Sequence, residues 1–209
     1  PLPNIPSILK QIYSENNSSK CQALNLLDKC LKLELTKFTP SEIFNEQIVQ
    51  DILIALNTFL STLTNNLKLK FIDLTINTPT AFDDFKVLYC LLETYLSISK
   101  NNKLLHLINE ENIFYECYER LFILITQPSL SSAGSGGEVN KKINTIIMSL
   151  LNNCDYTLNI LALIKIILNY KSNIDEYGQV CIMGIKCLNK YKDAFSKLKN
   201  MIDISKIFV

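Results

Sequence analysis

The side chains that could do chemistry are few and scattered. The one histidine, His106, stands in the apolar run LLHLI, and no serine or cysteine can be assigned to it as a nucleophile partner. It reads as a packed or half-exposed side chain rather than a general base. The adjacent carboxylates Asp83-Asp84 and Glu110-Glu111 fall at predicted helix starts, where negative charge favours the helix dipole. The seven cysteines (21, 30, 90, 117, 154, 181 and 187) are odd in number and form no Cys-x-x-Cys pair. Most lie among apolar residues, where a thiol acts as a small hydrophobe, and they read as reduced thiols of a cytosolic protein. With one histidine and no cysteine cluster near it, a zinc site is not expected. The only glycine cluster is Ser131 to Val139, so no phosphate-cradling loop is present. Phe82, Phe85, Tyr89 and Tyr95 recur at helical spacing and read as core rather than as a ligand cage. No enzyme activity, cofactor or metal is therefore expected.

Charge narrows the partners. The formal net charge is +1, without the basic excess by which nucleic-acid binders are recognised. Lys186, Lys190, Lys192, Lys197 and Lys199 gather near the C-terminal end with Asp193 as the one acid among them. They read as a solvated face, or as a modest basic ridge (Lys186, Lys190, Lys197) for an acidic partner. No apolar run approaches the roughly 18 residues of a membrane span. The longest, Ile160 to Leu168, is interrupted by Lys165. The opening PLPNIPS has neither the basic start nor the apolar centre of a signal peptide.

The elements that must position these side chains are helices. The chain is 48% hydrophobic with only 5 Gly and 6 Pro in 209 residues, and it holds no Asn-Gly or Asp-Gly hairpin turn. Periodicity predicts helices over Ile5 to Tyr13, from a Ser18 or Ser19 cap to about Leu33, and over Glu46 to Thr64. Further helices are predicted over Phe82 to Ser99 (with Thr78-Pro79 as the start signal), Asn101 to Asn109 and Glu111 to Thr126. The last four are Lys141 to Leu151, Tyr156 to Asn169, Glu176 to Tyr191 and Asp193 to Ile202. The Tyr156 to Asn169 stretch is apolar nearly all round, which predicts cover on several sides. The spacing fits an all-α solenoid of about five helix pairs, HEAT- or armadillo-like, in one domain over 1–209; a globular helix bundle is the alternative. The segment 131–138 is foreign to its surroundings: it carries three of the five glycines in a chain rich in Asn, Lys and Ile. It reads as an engineered Gly/Ser linker standing in for a longer disordered insertion.

A resemblance runs through nearly the whole chain. ILKQI (Ile8 to Ile12), QAL (Gln22 to Leu24) and VQDILIAL (Val49 to Leu56) follow one another as in the divergent C-terminal TOG-like region of the ch-TOG/Mini spindles microtubule polymerases. LNNCDYTLNILALIKIIL (Leu151 to Leu168) and MGIKCLNKYKDAFSKLKNMIDISKIF (from Met183) resemble that region's later helices. The resemblance implies a HEAT-repeat paddle in a microtubule-associated protein of the cytoplasm, at the cytoskeleton, spindle or microtubule-organising centre. TOG domains grip tubulin through the turns inside each helix pair, with a tryptophan in the first turn and basic residues in later ones. Aligning Gln22-Ala23-Leu24 with the family's Glu-Ala-Leu places Asn17 near the tryptophan position and Lys20 near a basic one. This chain has no tryptophan. The implied interaction edge is Asn16, Asn17, Ser18 and Lys20, without the aromatic that would anchor it. The expectation is a monomeric, non-catalytic protein-interaction scaffold with protein partners (microtubule-associated adaptors, possibly tubulin) and neither nucleic acid nor membrane. A tubulin-binding polymerase domain and an unrelated armadillo or HEAT adaptor are the alternatives.

Overall fold

The computed structural model describes residues 4–37, 40–71, 79–127, 136–172 and 174–192. Every regular element among them is a helix. In chain order they are α1 (Ile5–Ile12), α2 (Asn17–Leu35), α3 (Glu46–Phe71), α4 (Pro79–Ser99), α5 (Asn102–Leu105) and α6 (Glu111–Ile125). They continue as α7 (Gly136–Asn153), α8 (Tyr156–Tyr170) and α9 (Ile174–Asn189). Thr78 and the expected helix from Asp193 to Ile202 lie outside the described residues.

Asparagine or aspartate caps several of these helices. The Asn4, Asn16, Asn101 and Asp155 side chains each accept from backbone N–H groups of the first turn that follows. The sequence reading put the second cap at Ser18 or Ser19. Asn16 takes it instead, because its amide oxygen accepts from both the Ser18 N–H (2.8 Å) and the Ser19 N–H (3.3 Å). The segment 131–138, read as a linker, is described only at its C-terminal end. Gly136 to Glu138 already form the first turn of α7, while 128–135 lie outside the described residues.

Packing follows chain order. α1 touches α3, α3 touches α6, and α6 touches α8; beside them α2 touches α4, and α4 touches α7. The rows meet through α1 with α2, α3 with α4, α6 with α7, and α8 with α9, and the short α5 rests on α3 and α4. The α3 stripe Val49, Ile52, Leu53, Leu56, Phe59, Leu60 and Leu63 is wholly buried, as its period predicts. Its neighbour α4 buries Val87, Leu88, Leu91, Leu92 and Tyr95.

The α8 expectation needs correction. One side is buried through Ile160, Ala162, Leu163 and Ile166, but Leu161 and Leu168 are exposed. Tyr89, read as core, is also exposed at 45%, whereas Tyr95 is fully buried. Six residues on a helix turn through about 240°, so one face cannot hold both.

Several polar groups in the core are paired across helices, although the Gln127 amide is buried without a partner among the described residues. Tyr95 donates its hydroxyl to Asn57, whose amide in turn lies 3.4 Å from the Cys117 sulfur, so α3, α4 and α6 share one buried knot. The Glu34 carboxylate takes the Ser41 hydroxyl at 2.9 Å and the Lys37 ammonium at 2.9 Å, pinning the chain after α2. Burial alone would raise the Glu34 pKa. The Lys37 and Ser41 contacts outweigh it and hold the carboxyl below its ordinary value. A lowered folded pKa stabilises fully above the unfolded value of about 4.3, and that gain is lost as pH falls through the folded value. Glu34→Gln is therefore expected to cost about 1–3 kcal/mol at pH 7. The gap from the parent should narrow toward pH 3. Urea denaturation at both pH values checks this; an equal gap at both would place the stabilisation outside the carboxylate's charge.

Candidate interaction surface

The first turn between paired helices, residues 13–16, is short because Asn16 closes it. Beside it lies an open groove of about 590 Å³, walled by Asn16, Asn17, Ser18, Gln22 and Asn25 on the α2 side and Lys86 of α4 on the other. Three of the four residues expected at the interaction edge thus line one groove. Lys20 does not line it. Its ammonium donates to the Asn17 amide oxygen at 3.3 Å and sits 5.6 Å above the Phe59 ring. The cation expected on the edge is folded onto the domain by a local hydrogen bond and a cation–π contact. Lys86, on a helix distant in sequence, brings a cation to the groove instead, with the Glu15 carboxylate in the same lining.

From Lys86 the same row of helices carries a charged strip. Ser97 donates to Asp28 at 2.5 Å, and Lys32 pairs with Asp28 at 2.7 Å. Next along, the Lys142 ammonium bonds Glu93 and lies 3.7 Å above the Tyr89 ring. That contact explains how Tyr89 stands exposed: its ring is a platform for a lysine from α7. The Lys32 pKa is raised, chiefly by its Asp28 hydrogen bond. Burial would lower the Lys142 pKa, but its bonds to Glu93 and Tyr89 prevail and raise it. Both cations are fixed in place by acids.

The basic ridge is only partly described. Lys186 is exposed on α9 and Lys190 reaches the Asn152 side chain, while Lys197 lies outside the described residues. His106 is exposed at the C-terminal end of α5. Glu110 precedes α6 without a side-chain capping bond and Glu111 lies in its first turn; the side chains of Asp83 and Asp84 are outside the described set. Five of the seven cysteines are buried. Burial first, then the neighbouring Cys21 thiol, pushes the Cys90 thiol up to about 11, and burial does the same for Cys117 and Cys187, each up to about 11. Thiols so shifted are poor nucleophiles near neutral pH. Among the described residues no three His, Cys, Asp or Glu side chains come together as a metal-binding group, and no helix is long and apolar enough to cross a membrane.

A second cleft, missed by the sequence reading, opens between α3, α6, α8 and α9. It encloses about 270 Å³ and is lined by Ser61, Thr64, Asn65, Arg120, Ile123, Tyr170 and Tyr177. Arg120 is the sole arginine among 21 basic side chains, and that was the available signal. The two tyrosine rings stand 5.1 Å apart, and Tyr170 donates to Glu119 at 2.8 Å. No protein-family model, curated protein or solved structure matches the chain.

Proposed function

We propose that this chain is a HEAT-repeat, TOG-like α-solenoid that serves as a non-catalytic docking scaffold in a microtubule-associated protein of the spindle or cytoskeleton. The observation that carries this reading is the order of helix contacts. Each long helix up to α4 touches its pair partner and the next helix of its own row, the neighbour relation of stacked helix pairs. Such stacking brings successive turns along one edge and successive helices along one face, which suits docking of extended protein partners. The motif order from Ile8 to Leu168 supports the family side of the proposal.

Docking of adaptors, rather than strong tubulin capture, is favoured by the first turn. There is no tryptophan, and Asn17 holds the position of the family's anchor. Lys20 is turned back onto Asn17 and Phe59. An edge of amides and hydroxyls gains fractions of a kcal/mol per exposed contact, against an association cost of several kcal/mol. The expected dissociation constant for free tubulin heterodimer is no tighter than about 10 μM, or about −7 kcal/mol. Sedimentation with purified tubulin at about 150 mM salt tests this, because screening there removes the weak pull of exposed lysines. Submicromolar binding, abolished by changing Asn17 and Lys20 together to alanine, would replace the scaffold reading with a tubulin-binding polymerase domain.

A further inference from the structure

We propose that the Arg120 cleft is a docking site for an acidic side chain of a partner polypeptide. The Arg120 fork takes the carboxylate, and the paired rings of Tyr170 and Tyr177 take the apolar residue beside it. The proposal rests on the scaffold reading for the class of partner, and on the cleft itself for the chemistry.

The argument starts with composition. Twenty of the 21 basic side chains are lysines, and the single arginine lines a cleft. Guanidinium differs from ammonium in presenting a planar fork that matches a carboxylate through two parallel bonds. Here that fork is underused. Among the described residues its one ion pair, to the adjacent Glu119, is 3.6 Å long, beyond the usual range of about 2.7–2.9 Å for a charge-assisted hydrogen bond. Glu119 is engaged elsewhere: Tyr170 donates to it at 2.8 Å and Tyr115 donates to the same carboxylate oxygen. Tyr115 is in turn held by the Asn169 amide at 3.1 Å. The buried carboxylate is thereby fixed by two hydroxyls, and among the described residues the half-exposed guanidinium donates no hydrogen bond. Arg120 has donors to offer to an incoming acceptor.

The rest of the lining fits a small acid. Ser61 and Asn65 present polar groups from α3 opposite the fork, and Ile123 with the two tyrosines supplies an apolar wall. A volume of about 270 Å³ suits a side chain and part of its neighbour, and lies below the usual range for whole small-molecule ligands. Charge decides between acids. With one cation, already facing Glu119, and no lysine in the lining, the cleft compensates a single negative charge better than a phosphate dianion.

Because the chain has a single arginine, its Nε–H gives a single cross-peak in a nitrogen-15 correlation spectrum of the whole chain, a reporter placed in the cleft. The probes are acetyl-Glu-Leu-amide, acetyl-Gln-Leu-amide, inorganic phosphate and sodium chloride. The acidic peptide is expected to move the peak along a saturating curve, with the Gln peptide at least about tenfold weaker. In Arg120→Lys, which keeps the charge and loses the fork, the backbone amides of Asn65 and Tyr177 should lose the saturating shift. A linear shift equal to that from chloride would overturn the site. Equal response to the Gln peptide, tighter saturation by phosphate, or retention of binding in Arg120→Lys would overturn the carboxylate assignment. None of these readouts involves tubulin or an adaptor, so a failed titration leaves the scaffold reading standing. Tight tubulin capture at the first turn would revise that reading without moving the Arg120 peak.

Discussion

Leu56→Asp is expected to abolish cooperative folding, while Leu161→Asp is expected to leave the melting transition within a few degrees of the parent. Both leucines sit mid-helix in apolar runs, and their sequence contexts alone do not separate them. Leu56 is 0% exposed on α3, a helix packed against α1, α4 and α6, whereas Leu161 is 37% exposed on α8. An aspartate at 56 has no water and no cation to receive it, and a buried unpaired charge costs several kcal/mol. A domain's whole stability is about 5–15 kcal/mol, so that cost consumes much or all of it. An aspartate at 161 reaches solvent, and surface changes are usually within about 0.5 kcal/mol. Circular dichroism melts of both variants make the comparison. A parent-like melt for Leu56→Asp would refute the α3 face assignment, and loss of folding in Leu161→Asp would mean that something covers the outer side of α8.

The contrast marks what was legible in the sequence. Along α3 the apolar residues return every three or four positions between polar ones, and a single buried stripe is the only arrangement that satisfies them. Along α8 nearly every position is apolar, so periodicity carries no phase, and only the neighbours decide which side is buried. Those neighbours, α6 and α9, approach from one side and leave Leu161 and Leu168 out. The polar groups were harder to read, because their partners are far apart in the chain. Glu34 meets Ser41 across a turn, Asn57 meets Tyr95 and Cys117 across three helices, and Lys142 finds Tyr89 from α7. The interaction edge was legible in position through Asn16 to Ser18, but the direction taken by Lys20 depends on Phe59, which no local pattern reveals. Arg120 was visible only as a rarity; that it lines a cleft follows from α3, α8 and α9 meeting beside it.

Asn159→Leu is expected to destabilise the second half of the chain by about 3 kcal/mol, because this amide is the meeting point of four segments. Asn159 is 0% exposed in the first turn of α8, on its buried side. Its carbonyl oxygen accepts from the Tyr118 hydroxyl of α6 at 2.7 Å. Its amide donates to the Leu150 carbonyl of α7 at 3.3 Å and to the Tyr191 hydroxyl at 2.9 Å. Tyr191 completes the set by donating to the Leu151 carbonyl at 2.6 Å. Burial pushes the pKa of both tyrosines up, so each stays a neutral donor across the physiological range. Leucine has similar bulk and keeps the apolar contacts, but it strands the Tyr118 hydroxyl in a dry interior, while the Leu150 carbonyl keeps only the Cys154 N–H at 3.0 Å. Stranding a buried polar group costs about 1–3 kcal/mol, more than the net worth of the bond it made. That asymmetry gives the test its form. If Asn159 acts through Tyr118, removing the hydroxyl first with Tyr118→Phe should relieve part of the penalty. The double variant should then lose about 1 kcal/mol less than the two single losses added together. Urea denaturation of the four proteins measures the coupling. Strict additivity would show that Asn159 and Tyr118 stabilise the fold independently, and that the amide in the first turn of α8 does not join its neighbours through this bond.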